Sequence, residues 1–312
     1  MNFLLAFLRA FRIPNLVMVW VTMYLPYWYI LRPAILKGGG IPLLTEPVFN
    51  LIAAATVITT LAGYVLNDWF DREIDLINKP GRVFWGKYLS PGIALLFYAA
   101  LVTSVHVIAV FIDQALNPGN HWPLWLFPGV SFLLFLYAWK LKCTPVAGNL
   151  LVSFLCALVP VITLLPEGRA RLITGFNAPE LMESAESLVW IYGFFAFIFN
   201  YLREQVKDLE DFSGDAACGC NTLAVIKGRD FAKKPAVITG VLVTALTGVL
   251  IKYWAETAAP NWQIQAGAAT LLLPAAIVTV LLAFARTSAH YAHASALIKI
   301  IMFSGTILLI RF

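Results

Sequence analysis

Charge is scarce in this 312-residue chain: 12% of its residues are Asp, Glu, Lys or Arg, 60% are hydrophobic, and the mean hydropathy is +0.79. A soluble domain carries about a quarter charged residues, so a water-exposed globule is excluded and an integral membrane protein is left. Four cysteines do not form a disulfide framework. The lone Cys218-Gly219-Cys220 lacks the further ligands, at suitable spacing, that a thiolate metal site requires. Four histidines (His106, His121, His290 and His293) stand singly or away from the acidic segments, and none is assigned chemistry. Long linkers and low-complexity tracts are also missing, which predicts one domain over residues 1–312.

What is present is apolar length. A membrane crossing takes about 20 apolar residues, and such runs can be placed near 14–35, 47–66, 89–112, 122–139, 146–165, 186–202, 233–254, 262–285 and 292–310. The predicted fold class is all-α: a polytopic membrane protein with nine transmembrane helices around a central cavity. Arg9 and Arg12 precede the first run without a small-residue cleavage site, so the stretch reads as helix 1 and not as a removed signal. With nine spans, fifteen of the 22 Lys and Arg residues share the side of the N-terminus and six lie opposite. An excess of basic residues marks the cytoplasmic side. The net charge of +5 therefore reflects topology, and cations meeting an anionic substrate, with no nucleic acid implied. The expected partner surface is the lipid bilayer, the inner membrane for a bacterial chain, with the chemistry facing the cytoplasm.

Two acidic clusters interrupt the apolar pattern on that side, about 140 residues apart: Asn67-Asp68-Trp-Phe-Asp71-Arg-Glu-Ile-Asp75 and Lys207-Asp208-Leu-Glu-Asp211-Phe-Ser-Gly-Asp215. A charge at the centre of a spanning helix costs about 2.5–3.5 kcal/mol, so carboxylates at the ends of such helices call for a reason. Asn67, Asp71 and Asp75 fall at i, i+4, i+8, one helical stripe rising about 12 Å. Asp208, Asp211 and Asp215 fall at i, i+3, i+7, again one stripe. Glu73, Glu204 and Glu210 lie off these stripes and are expected to face solvent or pair with Lys and Arg. Oxygen ligands without His or Cys suit a hard cation, and Mg²⁺ takes one or two carboxylates and completes its shell with water and phosphate. The expectation is a magnesium enzyme acting on a polyanion, built from two loosely repeated halves.

The first cluster, followed by Asn78-Lys79-Pro80-Gly81-Arg82, resembles the first signature of the UbiA superfamily of intramembrane prenyltransferases. Asp211 and Asp215 resemble its second Asp-x-x-x-Asp signature. The likeness extends to Arg12 and Asn15 opening helix 1, Tyr137 with Lys140 and Lys142 after helix 4, and Gly148-Asn149 opening helix 5. Val83 departs from it, since many members carry Pro there. The second motif is closest to the branch that prenylates glyceryl-phosphate ethers, and quinone-type members share much of it.

The resemblance implies Mg²⁺-dependent ionisation of an isoprenyl diphosphate, geranylgeranyl or similar, and transfer to a lipophilic acceptor, a glyceryl phosphate ether or an aromatic. It makes Asp71, Asp75, Asp211 and Asp215 catalytic. Asn67, Asp68 and Asp208 join them as metal ligands. Asn15, Arg72, Lys79, Arg82, Tyr137, Lys140, Lys142, Tyr201 and Lys207 are the expected substrate contacts; Arg suits bidentate phosphate binding, Lys a point charge, and tyrosine faces stabilise a cation. Two other readings stay open: a cyclase using the same ionisation without an acceptor, and a transporter, which would place its acids nearer the bilayer midplane.

Overall fold

A computed structural model of the chain describes residues 7–8, 10–78, 83–116, 121–167, 178–256 and 261–308. Among the described residues the structure is helical, and the only strand-like pairing is an isolated bridge between Trp85 and Leu89. The helices are α1 (Ile13–Pro26), α2 (Arg32–Lys37), α3 (Glu46–Phe70), α4 (Arg72–Asn78), α5 (Pro91–Ala115), α6 (Trp122–Trp139) and α7 (Ala147–Val161). They continue with α8 (Pro179–Glu210), α9 (Phe212–Ala217), α10 (Leu223–Lys227), α11 (Arg229–Glu256), α12 (Asn261–Gly267), α13 (Leu273–Phe284) and α14 (Ser288–Leu308).

Seven of the expected spans are long, apolar helices: α3, α5, α6, α8, α11, the run Trp262–Phe284, and α14. The other two take different forms. Expected span 14–35 is a helical run in which a π turn, Tyr27–Leu31, joins α1 to α2. Expected span 146–165 is broken: α7, whose 15 residues reach about 22 Å, is short of a hydrocarbon core of about 30 Å, and a turn at 162–163 separates it from a further helical stretch at 164–167. Length and composition thus mark seven crossings among the described residues, not nine. A second π turn, Ala268–Leu272, divides α12 from α13. Both π turns end two residues before a proline, Pro33 or Pro274. Proline has no N–H to give to the carbonyl one turn back, and a register slip toward i→i+5 bonding accommodates it.

Contacts divide the chain into two compact units. The first comprises Met1–Lys142 and Leu158–Gly193. In it α3 packs against α1, α5 and α6, and a Cβ on Gly63 would lie 3.2 Å from Leu134, so this glycine lets α3 and α6 approach closely. Phe11, Val65, Phe84, Trp85 and Ala94 form an aromatic-rich cluster beside the end of α3. At another point of the unit the buried Glu167 accepts hydrogen bonds from the backbone N–H groups of Leu43 (3.0 Å) and Leu44 (2.9 Å) and from the Tyr27 hydroxyl (3.1 Å). Burial raises the Glu167 pKa above the usual carboxylate value, and these three donors pull the other way without cancelling it.

The second unit comprises Cys143–Ala157 and Phe194–Phe312. There α11 packs on α13, and α13 on α14, around Ala236, Val243, Val278, Leu282 and Ile298. Small residues at the contact, Ala236, Gly240, Ala275 and Ala294, let these helices approach closely, as they do where lipid removes a hydrophobic drive between helices. Hydroxyls inside the helices are satisfied locally: Thr247 donates to the Val243 carbonyl, as Thr56 and Thr59 of the first unit do to Ile52 and Ala55. Large apolar side chains such as Leu96, Ile238 and Phe284 stand exposed along the spans. In water that would be untenable; facing lipid it is the expected outer surface of an integral, multi-pass membrane protein.

Candidate active site

The first acidic cluster lies where α3 runs into α4. Asp71 caps α3 with φ −81° and ψ 0°, and α4 resumes one residue later. Its N–H donates to the Asn67 carbonyl (2.8 Å), and the Asp75 N–H donates to the Asp71 carbonyl (2.8 Å), so the i, i+4, i+8 register persists through the break. Asn67 Nδ2 and Lys142 Nζ both donate to Asp71 Oδ2. Asn67 Oδ1 is buried and has no hydrogen-bond partner among the described residues. One step around the helix, Asp68 Oδ1 is paired with Arg12, whose guanidinium also covers the Tyr64 ring at 4.6 Å. The Tyr64 hydroxyl accepts from Asn15 Nδ2 (3.3 Å). Arg12 reaches this position from a left-handed backbone conformation, φ 50° and ψ 43°, which non-glycine residues adopt at a cost of order 1–3 kcal/mol.

The second cluster repeats this construction within its own unit. Asp211 ends α8 with φ −88° and ψ 4°, and α9 begins at the next residue. The Asp211 N–H donates to the Lys207 carbonyl (2.8 Å) and the Asp215 N–H to the Asp211 carbonyl (3.1 Å). Asp208 Oδ2 accepts from Asn149 Nδ2 at 2.8 Å, Asn149 being buried in the first turn of α7. Asp215 is buried, and Asp211 is half-buried. Glu204 is buried, not solvated, and accepts from Arg203 (2.8 Å) and Lys207 (3.2 Å), which fulfils the pairing alternative for this residue. Tyr201 stacks on Phe197, with ring centroids 6.2 Å apart and planes 6° from parallel.

Of the remaining sequence-predicted contacts, Arg72 is half-buried in the first turn of α4, and Asp75 is half-buried one turn later. Tyr137 is buried near the end of α6, and Lys140 is exposed just beyond it. Lys79 and Arg82 lie outside the described residues. Residues that the spacing did not assign to the site are Arg12, Tyr64, Asn149 and Glu204. Each touches an assigned residue from another helix or from another turn of its own. Only Arg12 and the Gly148-Asn149 pair carried a signal, through the family likeness. One cysteine pair also departs from expectation: Cys143 and Cys220 form a disulfide beside the second cluster.

The donor set fits a hard divalent cation. It is all oxygen, it includes an amide carbonyl oxygen that is buried and orphaned, and an ammonium already rests on Asp71. Among the described residues no group of three His, Cys, Asp or Glu side chains closes around one point. Magnesium needs only one or two carboxylates, with water and phosphate completing the shell.

The chain is similar to digeranylgeranylglyceryl phosphate synthase of Thermococcus kodakarensis, 32% identical over 216 residues that cover 69% of this chain and 68% of the relative. Its fold resembles a solved structure of digeranylgeranylglyceryl phosphate synthase in membranes (TM-score 0.64, 22% identity, covering 99% of this chain and 98% of that one). It also resembles a UbiA homologue from Archaeoglobus fulgidus bound to GPP and Mg²⁺ (TM-score 0.54, 15% identity, covering 97% and 99%). Residues 24–307 match the UbiA prenyltransferase family. With apolar spans, acids gathered at helix ends, and a family match over nearly all of its length, the chain belongs to the UbiA prenyltransferase family and is a membrane-embedded prenyltransferase.

Proposed function

We propose that residues 1–312 act as one domain that transfers a geranylgeranyl-type group from its diphosphate to a glyceryl phosphate ether. The observation that carries this reading is the matched construction of the two acidic clusters, each a helix capped by an aspartate that also carries the next turn's register. The relatives' names support the acceptor class, and the GPP and Mg²⁺ bound to the Archaeoglobus homologue support the donor and the metal. In this reading Ile13–Lys37 and α7 also cross, giving nine spans, and both clusters face the cytoplasm with the basic loops.

Asn67, Asp68, Asp71 and Asp75, with Asp208, Asp211 and Asp215, are the metal ligands we assign. Bound magnesium supplies Lewis-acid stabilisation of the charge on the departing diphosphate. Lys142, already oriented by Asp71, donates to a phosphate oxygen, joined by Arg72, Lys79, Arg82, Lys140 and Lys207. Asn15, which donates to the Tyr64 hydroxyl, is a further contact in this reading. The faces of Tyr137 and Tyr201 stabilise the allylic cation, and the surrounding apolar helices keep water from it until the acceptor attacks.

The test is incubation of purified protein with a labelled C20 diphosphate and a panel of glyceryl phosphate ether, aromatic acid and quinone-precursor acceptors, read by mass spectrometry. The expected product forms only with the ether acceptor and Mg²⁺. A hydrocarbon or alcohol formed from the diphosphate alone would instead identify a cyclase. Asp71→Ala and Asp211→Ala should each abolish turnover while the protein stays folded in detergent; unchanged activity in both removes the metal assignment.

A further inference from the structure

Cys143 ends the 3₁₀ turn Leu141–Cys143 directly after Lys142, and Cys220 lies five residues beyond Asp215. The two residues are 77 positions apart in sequence, their Cα atoms are 4.6 Å apart, and their sulfurs are bonded. The backbone around the bond ties it to the second acidic cluster. The Cys220 N–H donates to the Asp215 carbonyl (2.9 Å) and the Gly219 N–H to the Ala216 carbonyl (3.4 Å). This is the paired 6→1 and 5→2 bonding of a Schellman motif, with Gly219 at φ +74° supplying the left-handed residue. The Asn221 N–H then donates to the Cys143 carbonyl (3.0 Å). The disulfide therefore anchors the turn that terminates α9, the helix carrying Asp215.

We propose that Cys143–Cys220 is a reversible thiol–disulfide modification site, read by small dithiols and disulfides, that sets the position of Asp215. The inference rests on the metal-ligand reading of Asp215 given above. Disulfides on a reducing cytoplasmic face are uncommon and, where present, are usually transient or redox-sensing. Cys143 is half-buried and Cys220 is buried, so attack is assigned to the more exposed residue, Cys143. A dithiol's thiolate attacks Cys143 Sγ and breaks the bond to Cys220 Sγ, which leaves as thiolate and takes up a proton. The second thiol of the reductant then attacks its own mixed-disulfide sulfur, releasing Cys143 as a thiol. The protein gains two electrons and two protons, and the reductant becomes a cyclic disulfide. Reoxidation is the same exchange run backwards with a small disulfide as oxidant. Reduction releases Cys220, loosens the turn that holds the Asp215 carbonyl, and weakens metal binding. Cys218 is exposed and outside the bond, so it reports accessibility without belonging to the switch.

The test uses the full chain purified in detergent without reductant. After denaturation, iodoacetamide should add to two cysteines, Cys156 and Cys218, and to all four once dithiothreitol has been applied. Four adducts without reductant would overturn the site. Thermal stabilisation by inorganic diphosphate is then titrated with Mg²⁺ in both redox states. Reduction should raise the Mg²⁺ midpoint about tenfold, the scale of losing an outer-shell support. The Cys143→Ser/Cys220→Ser variant should sit at the reduced value and ignore dithiothreitol, and Cys218→Ser should respond as the natural chain does. Superimposable titrations of the natural chain overturn the switch whether or not the double variant folds. Absence of prenyl transfer in either state, with the titration still redox-dependent, would refute the proposed reaction and leave the thiol site standing.

Discussion

Asn149 and Glu167 are both buried polar side chains, and they invite opposite experiments. Asn149 gives its amide to Asp208, so Asn149→Ala takes that donor from the half-buried carboxylate. Loss of such outer-shell support should raise the Mg²⁺ requirement of the Asp208 cluster by about tenfold or more, measured as the metal dependence of turnover at saturating diphosphate. Glu167 concerns stability. Its pKa is raised in the folded state by burial, so its stabilising contribution is complete below the unfolded value of about 4.3 and fades as pH climbs through the elevated native value. The melting temperature of Glu167→Gln minus that of the natural chain should therefore rise with pH across that interval; a flat difference would show that burial does not disfavour the carboxylate. At this scale the aspartate rows were legible because their spacing repeats along one helix. Their neighbours were not: Arg12 is 56 positions from Asp68 and Asn149 is 59 from Asp208, and periodicity carries no information about such pairs.

Each acidic row breaks at its middle aspartate and then resumes, so one residue both caps a helix and holds the place of a metal ligand in the reaction proposed above. Hydropathy could place α3 and α8 because apolar length is written in composition, and the acids marked where they end. It could not place the π turns before Pro33 and Pro274, since a hydrogen-bond slip leaves the apolar pattern unchanged. The shortness of α7 escaped for a related reason: the apolar run continues past Val161, but a turn at 162–163 interrupts the helix before it resumes at 164–167. Packing between elements makes a sharp prediction at Gly240 on α11. A Cβ there would lie 2.8 Å from Thr279 Oγ1 on α13, and Thr279 is stiff at χ1 and 3.2 Å from Thr244 Oγ1. Gly240→Ala should cost about 1–3 kcal/mol through overpacking, seen as a lowered melting temperature in detergent. Gly129, whose added Cβ meets nothing within 4 Å, is the control that should tolerate the same change.

For the molecule as a whole, orientation rests on where basic residues fall, and the exposed Cys218 offers a natural probe of it. A membrane-impermeant maleimide should modify Cys218 in inside-out vesicles and leave it untouched in right-side-out ones; the reverse pattern would place the second cluster outside the cell. Composition alone was sufficient for the membrane class and, with the two acidic motifs, for the family. The number of crossings was less legible: seven runs are long apolar helices among the described residues, while the other two are a helix with a π turn and a shorter helix.

The outward faces of α5, α11 and α13, with Leu96, Ile238 and Phe284 bare of protein neighbours, have a practical corollary. In the reaction proposed above, donor and acceptor both dissolve in the lipid that bathes these faces and would meet the enzyme by lateral diffusion within a two-dimensional solvent. Their effective dose is a mole fraction in the micelle or bilayer, so extra detergent should slow turnover even though the molar concentrations of enzyme, donor and acceptor are held constant.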